Sequence, residues 1–509
     1  MENYKTVVII GAGVAGLSAG IYAEQHGLHA ILLEKNPTVG GMCTGWNRQG
    51  FYIDGCIHWL TGTREGSILN EMWHNLDAIQ DPNDILYLDS WGTYEYQGQR
   101  VTLWRDLKRA EKEWKELSPV DSKMIHKFFK MVNDFTKVEL PLDLPLSLMP
   151  LHRKLKLGLD VLKVWPSYLL TMGQTCEKFA SKFKSPAIRF ALTKSQVGAG
   201  NLFSMLYSYA TVVIGDGGIP KGGSQPMVER MKEKFLSLGG TLKVNANVEN
   251  IVVKDKIATG VKLKTGEFIK GDYVVSCLDT NYTLKKLLRD QYSFPAFEKR
   301  FNKPAKNPSP SCVLINFKVK HDNNLPIPYS FNCEPFTVGQ QEIDHLTIRS
   351  YSYDETFTRG DKTVLSILVD QSNLDYSLWR KLSKDRPQYM KYKEWLANEV
   401  KERIIKHCPD LASGLELLDI ATPYTFNRYV NTSNGVYMGF FFTHRSPMFA
   451  HSGKLQGLNN VLLSGQWMQG PGGLPIAMTQ GKFAIQRICK KENLSFVFSS
   501  LPRKKKSLN

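Results

Sequence analysis

The 509-residue sequence has few cysteines, and they are not spaced as in disulfide-rich or zinc-binding proteins. Its eight cysteines include no C-x-x-C pair and no paired cysteine and histidine spacing of the zinc-binding kind. Scattered thiols in a chain of this length are typical of buried small side chains in a reducing compartment. The first five residues lack the basic region of a secretory signal. An apolar run from Val7 to Ala23 contains four glycines and is short for a membrane span. We therefore expect a cytoplasmic protein.

Acidic residues are also in deficit, because 65 Lys and Arg stand against 48 Asp and Glu, a formal charge of +17. This excess predicts an anionic partner. Residues 151–194 carry nine basic and two acidic residues, and residues 487–509 carry seven and one. The first stretch mixes leucines with lysines and arginines, which is typical either of an interfacial membrane helix or of a helical cap with a solvated basic face. No nucleic-acid-binding motif accompanies the charge, so we expect no nucleic acid partner and favour an anionic membrane surface.

Composition is otherwise that of a globular enzyme, with 42% hydrophobic and 22% charged residues, and the length predicts two or three domains. The N-terminus carries the most informative pattern. The β-branched run Thr6 to Ile10 predicts a buried parallel strand, and Gly11, Gly13 and Gly16 follow it in G-x-G-x-x-G spacing. A helix beginning there offers free N–H groups to a diphosphate. A second strand predicted at residues 30–33 ends at Glu34, whose carboxylate can bind ribose hydroxyls. This pattern indicates a dinucleotide and leaves FAD and NAD open.

Further segments resemble one flavoprotein superfamily, which contains amine oxidases, phytoene desaturases, carotenoid isomerases and retinol saturases. The resemblance rests on Gly40-Gly41 after the acidic residue and on Asp54-Gly55-Cys56-Ile57-His58, which looks most like the retinol saturase branch. It extends to residues 218–227, 422–429 and 435–442, and to the glycine-rich turn of residues 461–475. Met42 departs from the arginine of many members. The resemblance implies an α/β fold, in which a discontinuous Rossmann-like FAD-binding domain carries an inserted α+β substrate domain.

The same resemblance implies the site residues. The residues expected to bind FAD are Gly11, Gly13, Ala15, Gly16, Glu34, Lys35, Gly40, Gly41, Met42, His58, Val248, Gly465, Gln466, Gly473, Leu474 and Pro475. The residues expected to bind substrate are Trp59, Tyr437, Phe440, Phe442 and Trp467, with packing as core aromatics as the alternative for them. His58 and His444 are the candidates for proton transfer, although either could be a structural histidine. We expect no metal ligands.

The domain bounds expected are residues 1–75, 215–290 and 455–492 for FAD binding, and residues 76–214 and 291–454 for substrate. Residues 140–195 form a helical, membrane-facing segment within the latter, and residues 493–509 are a basic tail. The expected activity is saturation or desaturation of carbon–carbon bonds in an apolar polyene, isoprenoid or fatty-acyl lipid. The alternatives are redox-neutral cis–trans isomerisation, amine oxidation, or a basic membrane-binding protein with a vestigial nucleotide fold. A single G-x-G-x-x-G predicts a separate electron donor or acceptor.

Overall fold

The computed structural model describes residues 4–139, 142–159, 171, 174–195, 200–441 and 451–497. The α-helical segments are Val14–Gln25 (α1), Ile68–Asn75 (α2), Leu107–Leu117 (α3), Ser122–Phe135 (α4), residues 151–159 (α5), Cys176–Ala180 (α6), Pro186–Lys194 (α7), Leu202–Val213 (α8), Ser224–Ser237 (α9), Thr280–Tyr282 (α10), Pro295–Phe301 (α11), Tyr376–Leu382 (α12), Arg386–His407 (α13), Pro423–Val430 (α14) and Leu474–Lys491 (α15).

The strands are Lys5–Ile10 (β1), Leu28–Leu33 (β2), Gly45–Arg48 (β3), Phe51–Asp54 (β4), Leu60–Thr61 (β5), Ile85–Leu86 (β6), Ser90–Tyr96 (β7), Gln99–Trp104 (β8), Gly217–Pro220 (β9), Thr241–Lys243 (β10), Val248–Lys254 (β11), Ile257–Leu263 (β12), Phe268–Lys270 (β13), Tyr273–Ser276 (β14), Pro310–Lys320 (β15), Tyr329–Val338 (β16), Gln341–Ser350 (β17), Thr358–Arg359 (β18), Lys362–Ser372 (β19), Glu416–Ala421 (β20), Lys454–Leu455 (β21) and Leu458–Leu463 (β22).

A six-stranded sheet in the order β10-β2-β1-β14-β22-β21 brings together three distant parts of the chain. Its first five strands are parallel, and β21 joins as an antiparallel edge. Val8 in the centre pairs with Ile31 on one side and Val274 on the other, and it is fully buried. A parallel strand covered on both faces needs the continuous β-branched run that the sequence has here. The expected α/β fold with a Rossmann-like sheet is confirmed.

A second sheet of eight strands builds the other half of the molecule, in the order β20-β15-β19-β17-β16-β7-β8 with β18 beside β19. Its residues alternate between two faces. One face packs with α12 and α13 in an apolar core that includes Ile315, Ile348 and Val400. The opposite face is called the inner face below. It is turned toward the half of the molecule that is built on the six-stranded sheet, because Leu314 on this face packs beside Met42. The domain bounds given above remain a prediction.

Helices α1 and α15 pack at unusually short range, although about 460 residues separate them. A Cβ atom added at Gly481 of α15 would lie 2.3 Å from the carbonyl oxygen of Ala15 and 2.9 Å from Ser18 Cβ in α1. Ser18 Oγ also donates a 2.8 Å hydrogen bond to the carbonyl of Met478. The C-terminal helix is thereby fixed against the first helix of the chain. In the part of the chain that is described, no helix is long and apolar enough to cross a membrane.

Replacing Gly481 with alanine should destabilise the protein, although the same change in a helix usually stabilises it. The new methyl group would clash with α1, and overpacking of this kind costs about 1–3 kcal/mol. The matched control is Gly158→Ala in α5, where a Cβ meets no atom within 4 Å and where we expect a gain of about 0.5–1 kcal/mol. Urea denaturation of both variants measures the difference. Equal free energies of unfolding would contradict the helix packing.

Candidate cofactor site

A cleft lies at the carboxyl ends of β1, β2, β14 and β22. This edge of a parallel sheet is where open α/β folds bind their ligands. Of the residues expected to bind the cofactor, those that line the cleft are Gly11, Gly13, Ala15, Glu34, Lys35, Gly40, Gly41, Met42, Val248, Gly465, Gln466, Gly473 and Leu474. The chain folds so that glycines at residues 11–13, 40–41 and 465–473 meet in one place.

The N-terminus of α1 opens into this cleft. Gly13 is its N-cap, no side chain caps the helix, and its first turn holds no acidic residue. The free N–H groups and the helix dipole therefore face the cleft and suit a diphosphate. Gly16, in contrast, does not line the cleft, since a Cβ there would lie 1.9 Å from the carbonyl oxygen of Gly11. Gly16 therefore allows α1 to pack closely on the turn at Gly11 and does not contact a ligand in the cleft.

Glu34 is buried at the end of β2 and is fixed by two backbone groups. Its carboxylate accepts hydrogen bonds from Ala12 N at 3.0 Å and Asn36 N at 2.9 Å. A carboxylate has about four acceptor positions, so capacity for ribose hydroxyls remains. A negative charge at this position would repel a 2′-phosphate.

Lys35, the next residue, does not direct its charge at the centre of the cleft. Its ammonium donates to the carbonyl of Arg428 at 3.0 Å and to Asn431 Oδ1 at 2.9 Å, at the C-terminal end of α14. Burial lowers the pKa of Lys35, and the carboxylate of Glu34 partly opposes this effect. Cations are favoured at helix C-termini. Lys35 therefore joins α14 to the rim of the cleft.

The loop at residues 40–41 lies directly on the glycine-rich turn. Gly40 N donates to the carbonyl of Ala12 at 2.8 Å, and a Cβ at Gly41 would lie 3.4 Å from Gly13 Cα. Gly40 has φ +115°, and a Cβ there would lie 2.3 Å from the carbonyl oxygen of Cys43. Only glycine fits this backbone conformation at this distance.

A second helix N-terminus, that of α15, reaches the same cleft from the other side. Gly473 is its N-cap, and again no side chain caps the helix and no acidic residue lies in the first turn. Gln466, Gly473 and Leu474 line the cleft, but Pro475 does not. A proline at this position has no N–H to offer a ligand. The positive end of the α15 dipole favours an electron-rich or anionic group beside it.

Sequence reasoning missed a third wall of the cleft, formed by Cys277, Leu278 and Asp279. Asp279 is buried and accepts hydrogen bonds from the N–H groups of Tyr282 and Ser433, and burial raises its pKa. These residues directly follow β14. Because β14 is parallel to β1, its carboxyl end lies at the same edge of the sheet. The signal available in the sequence was that these three residues directly follow a predicted buried strand.

His58 lies outside the lining of the cleft, on its sheet side. It follows Ile57, whose N–H donates to Asp54 and to Ser224. Burial and the positive charge of Arg349 lower the pKa of His58 to about 3. The imidazole is therefore neutral at ordinary pH and is a weak base, although it can still donate one hydrogen bond and accept another. His444 and Phe442 lie outside the described residues.

The aromatic residues predicted to form substrate walls occupy three different surroundings. Phe440 is a core residue, because it is 5% exposed and packs edge-to-face on Trp467 at 5.0 Å. Trp467 belongs to the same cluster and also lines the cleft. Trp59 packs edge-to-face on Trp91 at 6.1 Å, away from the cleft. Tyr437 joins a small apolar cluster that extends from the cleft to the inner face.

Among the described residues, no three His, Cys, Asp or Glu side chains are grouped so that they could hold a metal ion. All eight cysteines are free thiols. A hydrogen bond with Cys56, together with burial, raises the pKa of the Cys43 thiol well above its usual value.

The residues of the cleft fit an extended dinucleotide. Two uncapped helix N-termini, a buried carboxylate at the end of β2 and backbone free of side chains at Gly13 provide the groups that a diphosphate and a ribose require.

Comparisons with known proteins agree with this geometry. The family profile of the NAD(P)-binding Rossmann-like domain matches residues 9–76. Prolycopene isomerase from Daucus carota is 25% identical over 453 residues, covering 84% of this chain and 71% of that protein. A 4,4′-diapophytoene desaturase from Methylomonas sp is 22% identical over 536 residues, covering 97% of each. An oxidoreductase structure from Methanosarcina mazei has a TM-score of 0.55 at 15% identity, covering 95% of this chain and 100% of that one. Along nearly its whole length the chain is thus similar in sequence to a prolycopene isomerase and a diapophytoene desaturase, and it shares the fold of the Methanosarcina mazei structure.

Proposed function

We propose that the protein is an FAD-dependent oxidoreductase that saturates or desaturates carbon–carbon bonds of an apolar polyene, isoprenoid or fatty-acyl lipid. One observation carries the proposal. The cleft that fits a dinucleotide adjoins, at Met42, an apolar cluster on the inner face of the large sheet. The desaturase and isomerase related to this chain are named for polyene substrates.

The shape of the cleft supports FAD rather than NAD. Three glycine-rich segments line it instead of one, and the N-terminus of α15 adds a second site for negative charge beyond the diphosphate site of α1. We assign the adenine end to Val248, the ribose to Glu34 and the diphosphate to the turn at Gly11 and Gly13. The flavin end then lies beside Gln466 and Gly473.

The apolar cluster supports a hydrophobic substrate. Cys312, Leu314, Ala421 and Phe426 are its buried members, and Met42, Trp46, Leu368 and Tyr437 pack against it. Met42 contributes to both the cleft and this cluster, so a hydrophobic substrate that reaches the cluster would lie close to the cofactor cleft. Apolar surface of this kind binds hydrocarbon at about 25 cal/mol per Å² buried.

FAD, when bound, supplies the hydride acceptor or donor. The protein positions the substrate and stabilises charge that develops during the reaction. With the cofactor bound, the N-terminal dipole of α15 at Gly473 would favour negative charge on the part of the cofactor held there. Neutral His58 is our candidate for a hydrogen bond to substrate or cofactor rather than for proton uptake, because its low pKa disfavours the imidazolium that proton uptake would form. We assign electron exchange to a separate donor or acceptor.

Residues 151–159 support docking at a membrane surface. Leu151, Leu155 and Leu159 lie at i, i+4 and i+8 in α5 and are 72%, 63% and 61% exposed. Such spacing places them on one face of the helix. Lys154 and Lys156 are exposed beside them, while Arg153 is paired with Asp143 at 2.5 Å. We propose that this leucine stripe inserts into the surface of an anionic bilayer.

The substitution Gly13→Ala tests the cofactor assignment. The chain itself accepts the methyl group, since a Cβ at residue 13 would have its nearest contact at 3.6 Å and φ is −73°. A bound diphosphate would not accept it, and an added methyl in a tight contact costs about 1–3 kcal/mol. FAD affinity should therefore fall by about five- to 150-fold in a fluorescence titration. Gly158→Ala is the control, and a folded Gly13→Ala protein with unchanged affinity would refute the assignment.

The reaction itself is tested by mixing the FAD-loaded protein anaerobically with a panel of polyenes, isoprenoids and unsaturated fatty acids. Bleaching of the oxidised flavin spectrum by a substrate indicates desaturation, and reoxidation of the dithionite-reduced protein indicates saturation. Conversion of cis to trans isomers by the reduced protein without a spectral change indicates isomerisation instead. A panel of amines provides the comparison, and flavin reduction by amines alone would overturn the proposal.

Membrane docking is tested with the double variant Leu151→Glu/Leu155→Glu. Burying one leucine contributes about 1.5–3 kcal/mol, so the double variant should bind vesicles containing phosphatidylserine more than about tenfold less well. Ile257→Glu is the matched control, because Ile257 is 55% exposed in the β11-β12 hairpin of the other half. Equal co-sedimentation of the double variant and the control would rule out docking through α5.

A further inference from the structure

Three neighbouring strands carry a row of polar residues across the inner face of the large sheet. Asn316 of β15 pairs with Ser366 of β19, and Ser366 pairs with Arg349 of β17. All three are buried, with Asn316 and Ser366 at most 1% exposed and Arg349 8% exposed. Their neighbours along the strands, such as Ile315 and Ile348, point into the core on the opposite face. The row therefore lies between the sheet and the dinucleotide-binding half.

Two hydrogen-bond donors in this row have no acceptor among the described residues. Asn316 Nδ2 and Arg349 Nη1 are buried, and each lacks a partner. Ser366 Oγ donates to Asn316 Oδ1 at 2.5 Å, which fixes the amide and leaves its NH₂ group available. Buried polar groups are nearly always satisfied in folded proteins, so two unpaired donors in one row point to an absent acceptor.

The charge of Arg349 is also uncompensated at contact distance. Among the ion pairs of the described residues, none includes Arg349, whereas Arg403 and Arg100 each have a carboxylate partner. Asp54 and Asp354 influence the nearby Tyr353, but their oxygens already accept backbone N–H groups. A buried guanidinium without a counter-ion is unfavourable unless an anion joins it.

Side chains around Arg349 extend this polar surface toward the cleft. The charge of Arg349 acts on His58, Tyr94 and Tyr353, and the guanidinium also interacts with the Tyr353 hydroxyl through a side-chain hydrogen bond. His58 lies two residues after Cys56, which contacts the cleft-lining Cys43. The segment from Cys56 to His58 thus connects the surroundings of Arg349 with the wall of the cleft.

We propose that Arg349, assisted by Asn316, binds the carboxylate at one end of the lipid substrate. This inference rests on the proposed function and narrows it, since the substrate becomes an acidic amphiphile rather than a pure hydrocarbon. A guanidinium binds a carboxylate through two parallel hydrogen bonds. The site holds one positive charge, because His58 is neutral, so a singly charged carboxylate balances it and a phosphate dianion does not. The apolar cluster beside Met42 then receives the chain of the same molecule.

The first experiment compares two ligands on the unaltered full-length protein. Parinaric acid is a fluorescent polyene fatty acid, and its methyl ester has the same chain without the charge. At pH 8 the wild-type protein should bind the acid about 10- to 100-fold more tightly than the ester, as expected for a charge-assisted hydrogen bond in a buried site. Equal affinities would overturn the proposal, and so would tighter binding of a monoalkyl phosphate than of the acid.

The second experiment removes the guanidinium. Arg349→Met should bind acid and ester equally, and Arg349→Lys should keep part of the preference. Because an unpaired buried charge is lost, the melting temperature of ligand-free Arg349→Met should be equal to or above that of the wild type, and only the wild type should gain stability from the acid. A structural arginine would instead lower the melting temperature when replaced.

Arg105→Met is the matched control. Arg105 stacks over Tyr87 at 5.3 Å and also has an unpartnered Nε, but it follows β8 and is not part of the polar row. The Arg105→Met variant should still bind the acid more tightly than the ester. If Arg349→Met does not fold, Asn316→Leu should still weaken acid binding relative to ester binding, and an unchanged ratio would count against the proposal.

The outcomes also separate this inference from the proposed function. A protein that prefers the acid but never retains FAD would keep the carboxylate site and lose the oxidoreductase assignment. A protein that turns over hydrocarbon polyenes and binds acid and ester equally would keep the oxidoreductase and lose the carboxylate site.

Discussion

The close packing of α1 on α15 is the contact on which the rest of the structure depends. Gly481 lets the two helices approach until the Ala15 carbonyl occupies the space of a side chain. As a result, two helix N-termini open into one cleft, and both are capped by glycines without a side-chain hydrogen bond. Each terminus carries about half a positive charge. Two such charges beside one cleft, together with the buried carboxyl groups of Glu34 and Asp279, create a site that offers groups to both anionic and hydroxyl parts of a ligand.

The eight-stranded sheet forms the surface that faces this cleft. Because side chains alternate between its two faces, one face can form a core while the other faces the cofactor site. Its outer residues form a core with α12 and α13, whereas its inner residues face the cofactor half. A purely structural sheet would be apolar on both covered faces. Here the inner face combines an apolar cluster beside Met42 with the buried donors of Asn316 and Arg349. That combination fits a long ligand with one polar end.

The positive charge of the chain is only partly available to a partner. Arg153 and Lys194 belong to the basic stretch, yet they pair with Asp143 and Asp344. Arg487 is largely buried in α15, and burial lowers its pKa to about 10. What remains on α5 is a pair of lysines beside three exposed leucines. The arrangement of apolar and basic side chains, rather than net charge, therefore supports a bilayer as the anionic surface.

The sequence alone determined the local features, because strands, turns and helix starts depend on residues close together in the chain. The run Thr6 to Ile10, the glycines that follow it and Glu34 were sufficient to predict strand, turn, helix and acid in order. The tertiary structure decided which of these reach the ligand. Gly16 and Phe440 make packing contacts instead of lining the cleft, and Lys35 binds the C-terminal end of α14. Asp279 lines the cleft although it lies about 240 residues after Glu34 in the chain. Arg349 gave no signal in the sequence, because the absence of a partner for a charged side chain is a property of its folded surroundings and not of its neighbours along the chain.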